Sequence, residues 1–355
     1  MQQDYRNILI VRTDRIGDVI LTLPMAQALK RLFPHARIAM LIRKYTAELV
    51  EDNPFVDRIL LYDDGARQVP FFRLVAELRS EKFDAVFHTH PLFRAALVTW
   101  LSRVRERVGT GYRWYSWLFN RRVYEHRKDA RRHELEYNLN LLQAIGCSVD
   151  PSTVTPQMPV TAESLQFIRR LLDALGIASG DRVVILHPGS GNSARDWHRE
   201  QFGRLASRLK ALPSVRVVIT GGKGEEGIVR DVREIAGEGV VALADRLTLH
   251  QFAALAKSAS LFVANSTGPL HMAAAVGTPV IGFYPQITPL SAARWGPYTS
   301  RKTIFTPVGK PSDCAACLAP GQATRCACMD SINVEDVFEA ALASLQLYHP
   351  VSEHA

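Results

Sequence analysis

The chain has 355 residues, 47% of them hydrophobic and 22% charged, which is enough for two ordinary domains with full cores. No apolar run approaches the roughly 18 residues of a membrane span, and the start, MQQDYRNILIVRTDR, enters a strand pattern without the layout of a signal peptide, so a cytoplasmic protein is expected. The net charge of +8 is concentrated: between Arg94 and Arg132, eleven Arg or Lys stand against three acids, Glu106, Glu125 and Asp129.

Short apolar strands alternate with helical stretches from the start. The pattern predicts a strand over 7–12, a helix over 17–33, a strand over 37–42, a helix over 45–51 and a strand over 58–62. Helix, strand and helix follow over 71–80, 83–88 and 93–102, and a long helix over 133–145. The basic segment is interleaved with Trp100, Tyr112, Trp114, Tyr115, Trp117 and Phe119. Such a face suits an anionic membrane or a phosphorylated glycolipid; nucleic acid is the competing partner and a solvated helix face the ordinary alternative. The stretch GCSVDPSTVTPQMP, with Pro151, Pro156 and Pro159, reads as a linker. Alternation restarts over 162–175, 182–186, 201–211 and 215–220, and a last helix is expected over 334–347. Two α/β domains with parallel sheets follow from this order. The expected divisions are 1–155, 156–333, and a helix and tail over 334–355 that could pack back on the first domain.

The second half holds the clearest chemistry. LFVANSTGPLHMAAAVGTPVIGFY reads as strand, turn, helix start, short helix and strand: Asn265-Ser266-Thr267-Gly268 is turn chemistry, Pro269 suits the first helical position, and Gly277-Thr278-Pro279 closes the helix. Its helix start would aim unpaired N–H groups from Gly268 onward at an anion, with His271 one turn in as a further donor. An ordinary buried crossover would fit the same stretch. A second apolar strand runs into His187-Pro188-Gly189-Ser190-Gly191-Asn192, and a third ends in Gly221-Gly222-Lys223-Gly224-Glu225-Glu226. Three strands ending in small or Gly-rich turns imply a nucleotide crevice along the carboxyl edge of a sheet. None has the spacing of a P-loop or of GxGxxG, which argues against ATP hydrolysis and hydride transfer.

In the first half a strand delivers Arg12-Thr13-Asp14-Arg15-Ile16-Gly17-Asp18 into a helix. Asp18 could cap that helix, a contribution of roughly 1 kcal/mol. It could equally face a crevice as a general base that accepts the proton of an attacking sugar hydroxyl. Asp14 and Asp18, four apart, could share a helix face, but no second carboxylate completes a glycosidase pair.

Taken together, ILIVRTDRIGDVILTLP, HPGSG with ARDW, TGGKGEE and NSTGPLHMAAAVGTPVIGFY resemble the ADP-heptose:lipopolysaccharide heptosyltransferase family, glycosyltransferase family 9, over nearly the whole chain. The resemblance implies a GT-B fold, two Rossmann-like domains facing across a cleft. It also implies inverting transfer of heptose from ADP-heptose to an anionic, phosphorylated lipopolysaccharide-core acceptor at the cytoplasmic face of the inner membrane, with no cofactor and no catalytic metal. By the same resemblance Asp18 is the general base. Ser190 and Gly191 lie under the phosphates, and Thr267, Gly268 and His271 form the diphosphate turn. Glu225 falls near the ribose and Leu247 near the adenine. The acceptor would meet the basic aromatic segment around Arg113, Arg121 and Arg122, and no nucleic acid is expected.

Two positions depart from the family pattern. Arg195 stands where Lys is frequent, keeping the charge but offering a planar fork. Ser266 stands where an Asp precedes the Thr-Gly pair, which removes a negative charge beside the donor and leaves another nucleotide-sugar open. Remaining alternatives are a nucleotide-activated epimerase of the same fold and a non-catalytic module for a membrane surface or nucleic acid. Cys314, Cys317, Cys326 and Cys328 crowd fifteen residues. Their second pair is too tight for a standard zinc knuckle, so packing thiols or an optional disulfide are expected ahead of a metal.

Overall fold

Uninterrupted apolar runs such as Ile8 to Val11 and Val183 to Leu186 are what a parallel strand covered on both faces requires, and the computed structural model places them at the centres of two sheets. It describes residues 4–191, 195–309, 326 and 328–347. The chain divides into two compact units, 1–127 with 131–159, and 128–130 with 160–355.

In the first unit β1 (Asn7–Val11), β2 (Arg37–Ile42), β3 (Arg58–Leu61), β4 (Ala85–His88), β5 (Glu106–Thr110) and β6 (Arg121–Val123) form one parallel sheet in the order β3-β2-β1-β4-β5-β6. The connections run through α1 (Ile16–Ile20), α2 (Leu23–Leu32), α3 (Phe71–Glu81) and α4 (Phe93–Leu101), and α5 (Glu134–Asn140) follows β6. The single helix expected over 17–33 is two. Pro24, at the second position of α2, has no N–H to continue the ladder from α1, and the chain steps at Leu21-Thr22. The long helix expected over 133–145 is α5 followed by a 3₁₀ turn, Leu141–Ile145. His133 caps α5, its ring accepting the Leu135 N–H at 3.2 Å while Glu136 reaches back to the His133 N–H. The helix expected over 45–51 is likewise 3₁₀, Lys44–Leu49.

The second unit repeats the plan. After α6 (Ala162–Ala174), β7 (Arg182–His187), α7 (Arg199–Leu209), β8 (Val215–Gly221), α8 (Glu226–Ala236), β9 (Val241–Ala244) and α9 (Leu249–Lys257) are followed by β10 (Leu261–Asn265), α10 (Gly268–Ala275), β11 (Val280–Phe283), α11 (Ala292–Trp295) and β12 (Lys302–Phe305). The parallel order is β12-β11-β10-β7-β8-β9. Alternation along β7 feeds two cores: Val184 and Leu186 join Trp197, Phe202 and Phe283 on one side, and Val183 and Ile185 join Phe262 and Tyr284 on the other.

The terminal helix α12 spans Val334–Leu347. It packs within the second unit, where Val337, Phe338, Ala341 and Leu345 enter the Trp197 core, and Arg208 of α7 pairs with its Glu335 at 2.9 Å.

Candidate functional site

Both sheets reverse their strand order beside the first strand, between β1 and β4 and between β7 and β10. Open α/β sheets bind ligands at such switch points, outside the carboxyl ends of the strands. Asp18 follows β1, Ser190 and Gly191 follow β7, and Thr267 and Gly268 follow β10, so the residues singled out in the sequence lie at these two edges.

At the first edge Arg12, buried at the end of β1, organises the chemistry. Its Nε donates to Asp14 at 2.7 Å, its Nη2 to Asp18 Oδ1, and its Nη1 to Glu134 at 3.3 Å. Arg127 Nη1 donates to the same Glu134 oxygen at 2.6 Å and to Asn138 Oδ1 at 3.1 Å. Asn138 in turn donates to the Leu21 carbonyl and to Thr22 Oγ1, which donates to the Asp18 carbonyl at 2.8 Å. Two guanidiniums thus hold three carboxylates, and α5 is tied to the start of α1. The capping role considered for Asp18 is not the one it takes: Arg15 is the N-cap of α1 and Asp18 lies inside the first turn with its carboxylate on Arg12. Burial, reinforced by Asp14 and Glu134 and opposed by Arg12, lifts the Asp18 carboxyl to about 6. A carboxylate with that proton affinity is suited to taking a proton near neutral pH. His90 Nδ1 lies 3.6 Å from Asp14, and burial pushes the pKa of its imidazole down while Asp14 opposes.

At the second edge the Gly-rich loop after β7 is fixed by groups on three strands. Asn265, fully buried at the end of β10, donates to the Pro188 carbonyl at 2.7 Å and accepts the Trp197 N–H at 2.7 Å, so one amide pins both ends of the loop. Trp197 is itself buried, stacked on Phe283 at 4.2 Å, with its indole N–H donating to the Ile332 carbonyl at 3.1 Å. Glu225, just before α8, spans two loops by accepting the Gly191 N–H at 2.9 Å and the Gly222 N–H at 2.8 Å. A Cβ at Gly189 would fall 2.2 Å from that carboxyl group, so any larger residue there would push Glu225 out of this position. His187 accompanies it, Nδ1 at 3.0 Å from Thr220 Oγ1 and Nε2 at 3.6 Å from Glu225; burial lowers its pKa to about 4, with Glu225 opposing.

Thr267 and Gly268 open α10 with Pro269 behind them. Thr267 makes no side-chain cap, Pro269 has no N–H, and the Leu270 N–H donates to the Thr267 carbonyl at 3.2 Å, so Gly268 holds the amide that the start of α10 can offer a ligand. His271 is buried in its first turn and Ser190 is buried in the β7 loop. Arg195 is half-buried ahead of Trp197, and Leu247 is half-buried in the turn before α9. Residues 192–194, within the motifs at this loop, lie outside the described residues, as do Cys314 and Cys317. Cys326 and Cys328 are buried beside the Trp197 core with their sulfurs 2.9 Å apart.

The three arginines assigned to the acceptor separate in their surroundings. Arg121 and Arg122 are consecutive on β6 and so point to opposite faces. Arg121 pairs with Glu106 at 3.4 Å, Arg122 donates through Nε to the carbonyls of Ser116 and Phe119, and Arg113 is exposed. Arg12, Arg127 and Asn265 were given no site role in the sequence reading. Arg12 and Asn265 carry a recognisable signal, each a polar group ending an apolar strand at its carboxyl edge.

The family model described as glycosyltransferase family 9 (heptosyltransferase) matches residues 71–323. A Haemophilus influenzae protein named only as a glycosyltransferase is 30% identical over 295 residues, covering 82% of this chain and 85% of that protein. Lipopolysaccharide heptosyltransferase 3 of Escherichia coli is 28% identical over 279 residues, 76% of this chain and 80% of that one. Among solved structures, E. coli ADP-heptose lps heptosyltransferase II is similar with a TM-score of 0.77 at 19% identity, over 96% of this chain and 98% of that one, which establishes the shared GT-B fold.

Proposed function

The chain belongs to glycosyltransferase family 9, and from that premise we propose that it transfers heptose, with inversion, from ADP-heptose to a phosphorylated lipopolysaccharide inner-core acceptor. The observation that carries the proposal is the Asp18 carboxylate, held at a switch point by buried Arg12 and lifted to about 6. An acceptor hydroxyl attacks the anomeric carbon of the donor and passes its proton to Asp18 as the new C–O bond forms. The bond from that carbon to the diphosphate breaks on the opposite face, which inverts the configuration and releases ADP. The leaving diphosphate gains charge, and the Gly268 N–H at the start of α10 and the Arg195 guanidinium just ahead of Trp197 are the groups assigned to stabilise it. Glu225 would accept ribose hydroxyls, and Leu247 would lie by the base.

The names of the relatives support heptose and lipopolysaccharide, and the name of heptosyltransferase II supports the choice of ADP in the proposal. Arg113, Arg121 and Arg122 supply the acceptor side of the proposal, with the protein working peripherally at the cytoplasmic face of the inner membrane. Among the described residues no helix is long and apolar enough to cross a membrane.

A thermal-shift titration with ADP, UDP, GDP and CDP tests the donor, because a ligand of the native state raises the midpoint. ADP alone should stabilise; a preference for UDP or GDP would overturn ADP-heptose and point to Ser266. Asp18→Ala should keep the ADP shift and lose transfer, and normal turnover by that variant would refute the mechanism.

A further inference from the structure

Phe93 and Trp100 lie seven residues apart on α4 and therefore on one face of that helix, two turns apart. Each is met by an indole from the segment after β5: Trp114 lies 4.8 Å from Phe93, and Trp117 lies 5.9 Å from Trp100. All four rings stay exposed, Trp114 at 74% and Trp117 at 55%. They make an aromatic ridge along α4, with Phe93 at the end that follows β4 and Trp100 at the end that precedes β5. Beyond Trp100 the ridge runs into a pocket of about 530 Å³ lined by Arg79, Trp100, Leu101, Arg103, Val104, Arg105 and Arg107. Four guanidinium groups and no acid line it. Arg79 and Arg107 are held in place by backbone carbonyls, of Leu101 at 2.7 Å and of Leu118 at 2.8 Å, while Arg103 and Arg105 are exposed.

We infer that the α4 flank is a docking face for an anionic phospholipid bilayer, with the indoles at headgroup depth and a lipid phosphate in the arginine pocket. Indole rings partition to the membrane interface because one edge is polar and the body apolar. Clustered cations without carboxylates are attracted to an anionic leaflet. The arginine pocket lies at the amino ends of the strands, away from the Asp18 edge, and Arg121, which pairs with Glu106 between Arg105 and Arg107, adjoins it. Because α4 runs from one edge of the sheet to the other, a bilayer lying along it would also reach the edge that carries Asp18. The inference rests on the membrane part of the proposed function and names the surface responsible.

The test is co-sedimentation of the full chain with phosphatidylcholine vesicles containing 30% phosphatidylglycerol, or none, together with tryptophan emission. Wild type should bind only the anionic vesicles, with emission shifted to the blue. Arg103→Gln with Arg105→Gln should weaken partitioning by roughly thirty-fold, and Trp114→Ser with Trp117→Ser should lose most of the blue shift. Millimolar inorganic phosphate should not displace the protein, since the occupant is a bilayer and not a free anion; displacement would overturn the inference. Failure of wild type to bind anionic vesicles, or binding of a single-stranded oligonucleotide in their place, removes the membrane reading altogether. Undiminished binding by folded Arg103→Gln/Arg105→Gln and Trp114→Ser/Trp117→Ser variants removes only the α4 flank. Lipid-borne bromine quenching of wild-type emission decides the matter if a variant fails to fold: quenching supports the flank, and its absence refutes it.

Discussion

Replacing Asp18 by Asn is expected to stabilise the protein while removing its chemistry. The guanidiniums of Arg12 and Arg127 meet the carboxylates of Asp14, Asp18 and Glu134, leaving one negative charge in excess in a buried place. Burial, with help from Asp14 and Glu134, raises the Asp18 carboxyl from the ordinary 3.8 to about 6. In the unfolded chain the carboxyl reverts, so between about pH 4 and 6 the unfolded state binds fewer protons than the folded one and stability falls as pH rises through that window. A gap of about two pH units, at 1.36 kcal/mol each, makes the loss about 3 kcal/mol above pH 6 as an upper bound. Asn imitates the protonated acid, so Asp18→Asn should recover about 1–3 kcal/mol at pH 7.5. For a unit of about 150 residues that is a rise in unfolding midpoint of roughly 3–9 °C. Thermal unfolding of both proteins from pH 4 to 8 measures it, with ADP release assayed in parallel; transfer should drop by about 10²–10⁴. A variant less stable than wild type at pH 7.5, or an offset that does not shrink as pH falls from 6 to 4, would refute the excess-charge argument.

Three further outcomes follow from the same geometry. With Asp18 needed in its charged form, kcat/KM should fall about tenfold for each pH unit below 6; a limb breaking near 4 would exclude this carboxyl as the base. Asn265→Ala removes the amide that pins both ends of the β7 loop and should cost about 2–3 kcal/mol of stability, with weaker ADP binding by calorimetry; unchanged ADP affinity would deny its hold on the loop. Gly189→Ala drives a methyl into the Glu225 carboxyl group, and ADP binding should weaken about tenfold with little loss of fold; equal affinity would show that the loop yields without consequence.

The central strands were legible because burial on both faces leaves β1, β7 and β10 as unbroken apolar runs. β5 and β6 were not, since they lie at the basic side of the first sheet and carry Glu106, Arg107, Arg121 and Arg122. Glu106 is buried where Tyr5 donates to it at 2.9 Å and Arg121 pairs with it, partners that no local pattern announces. The same holds at the candidate site. Asp18 and the glycine turns sit in short motifs, whereas the bond from Arg12 to Glu134 joins residues 122 apart and the one from Asn265 to Trp197 joins residues 68 apart. Spacing could not reveal contacts that exist only once the sheets have closed.

The indole of Trp197, bonded to a carbonyl 135 residues further along, has a consequence for the order in which the protein becomes functional. A chain made from its first residue onward completes β7, β8 and their loops well before Ile332 exists. Until that carbonyl and the helix behind it arrive, the loop carrying Ser190 and Gly191 lacks one of its anchors, and contacts of such long sequence separation form late. The proposed nucleotide loop is therefore completed late: a fragment stopped short of Ile332 has every residue of the Gly-rich turns but lacks the carbonyl that anchors Trp197 beside them.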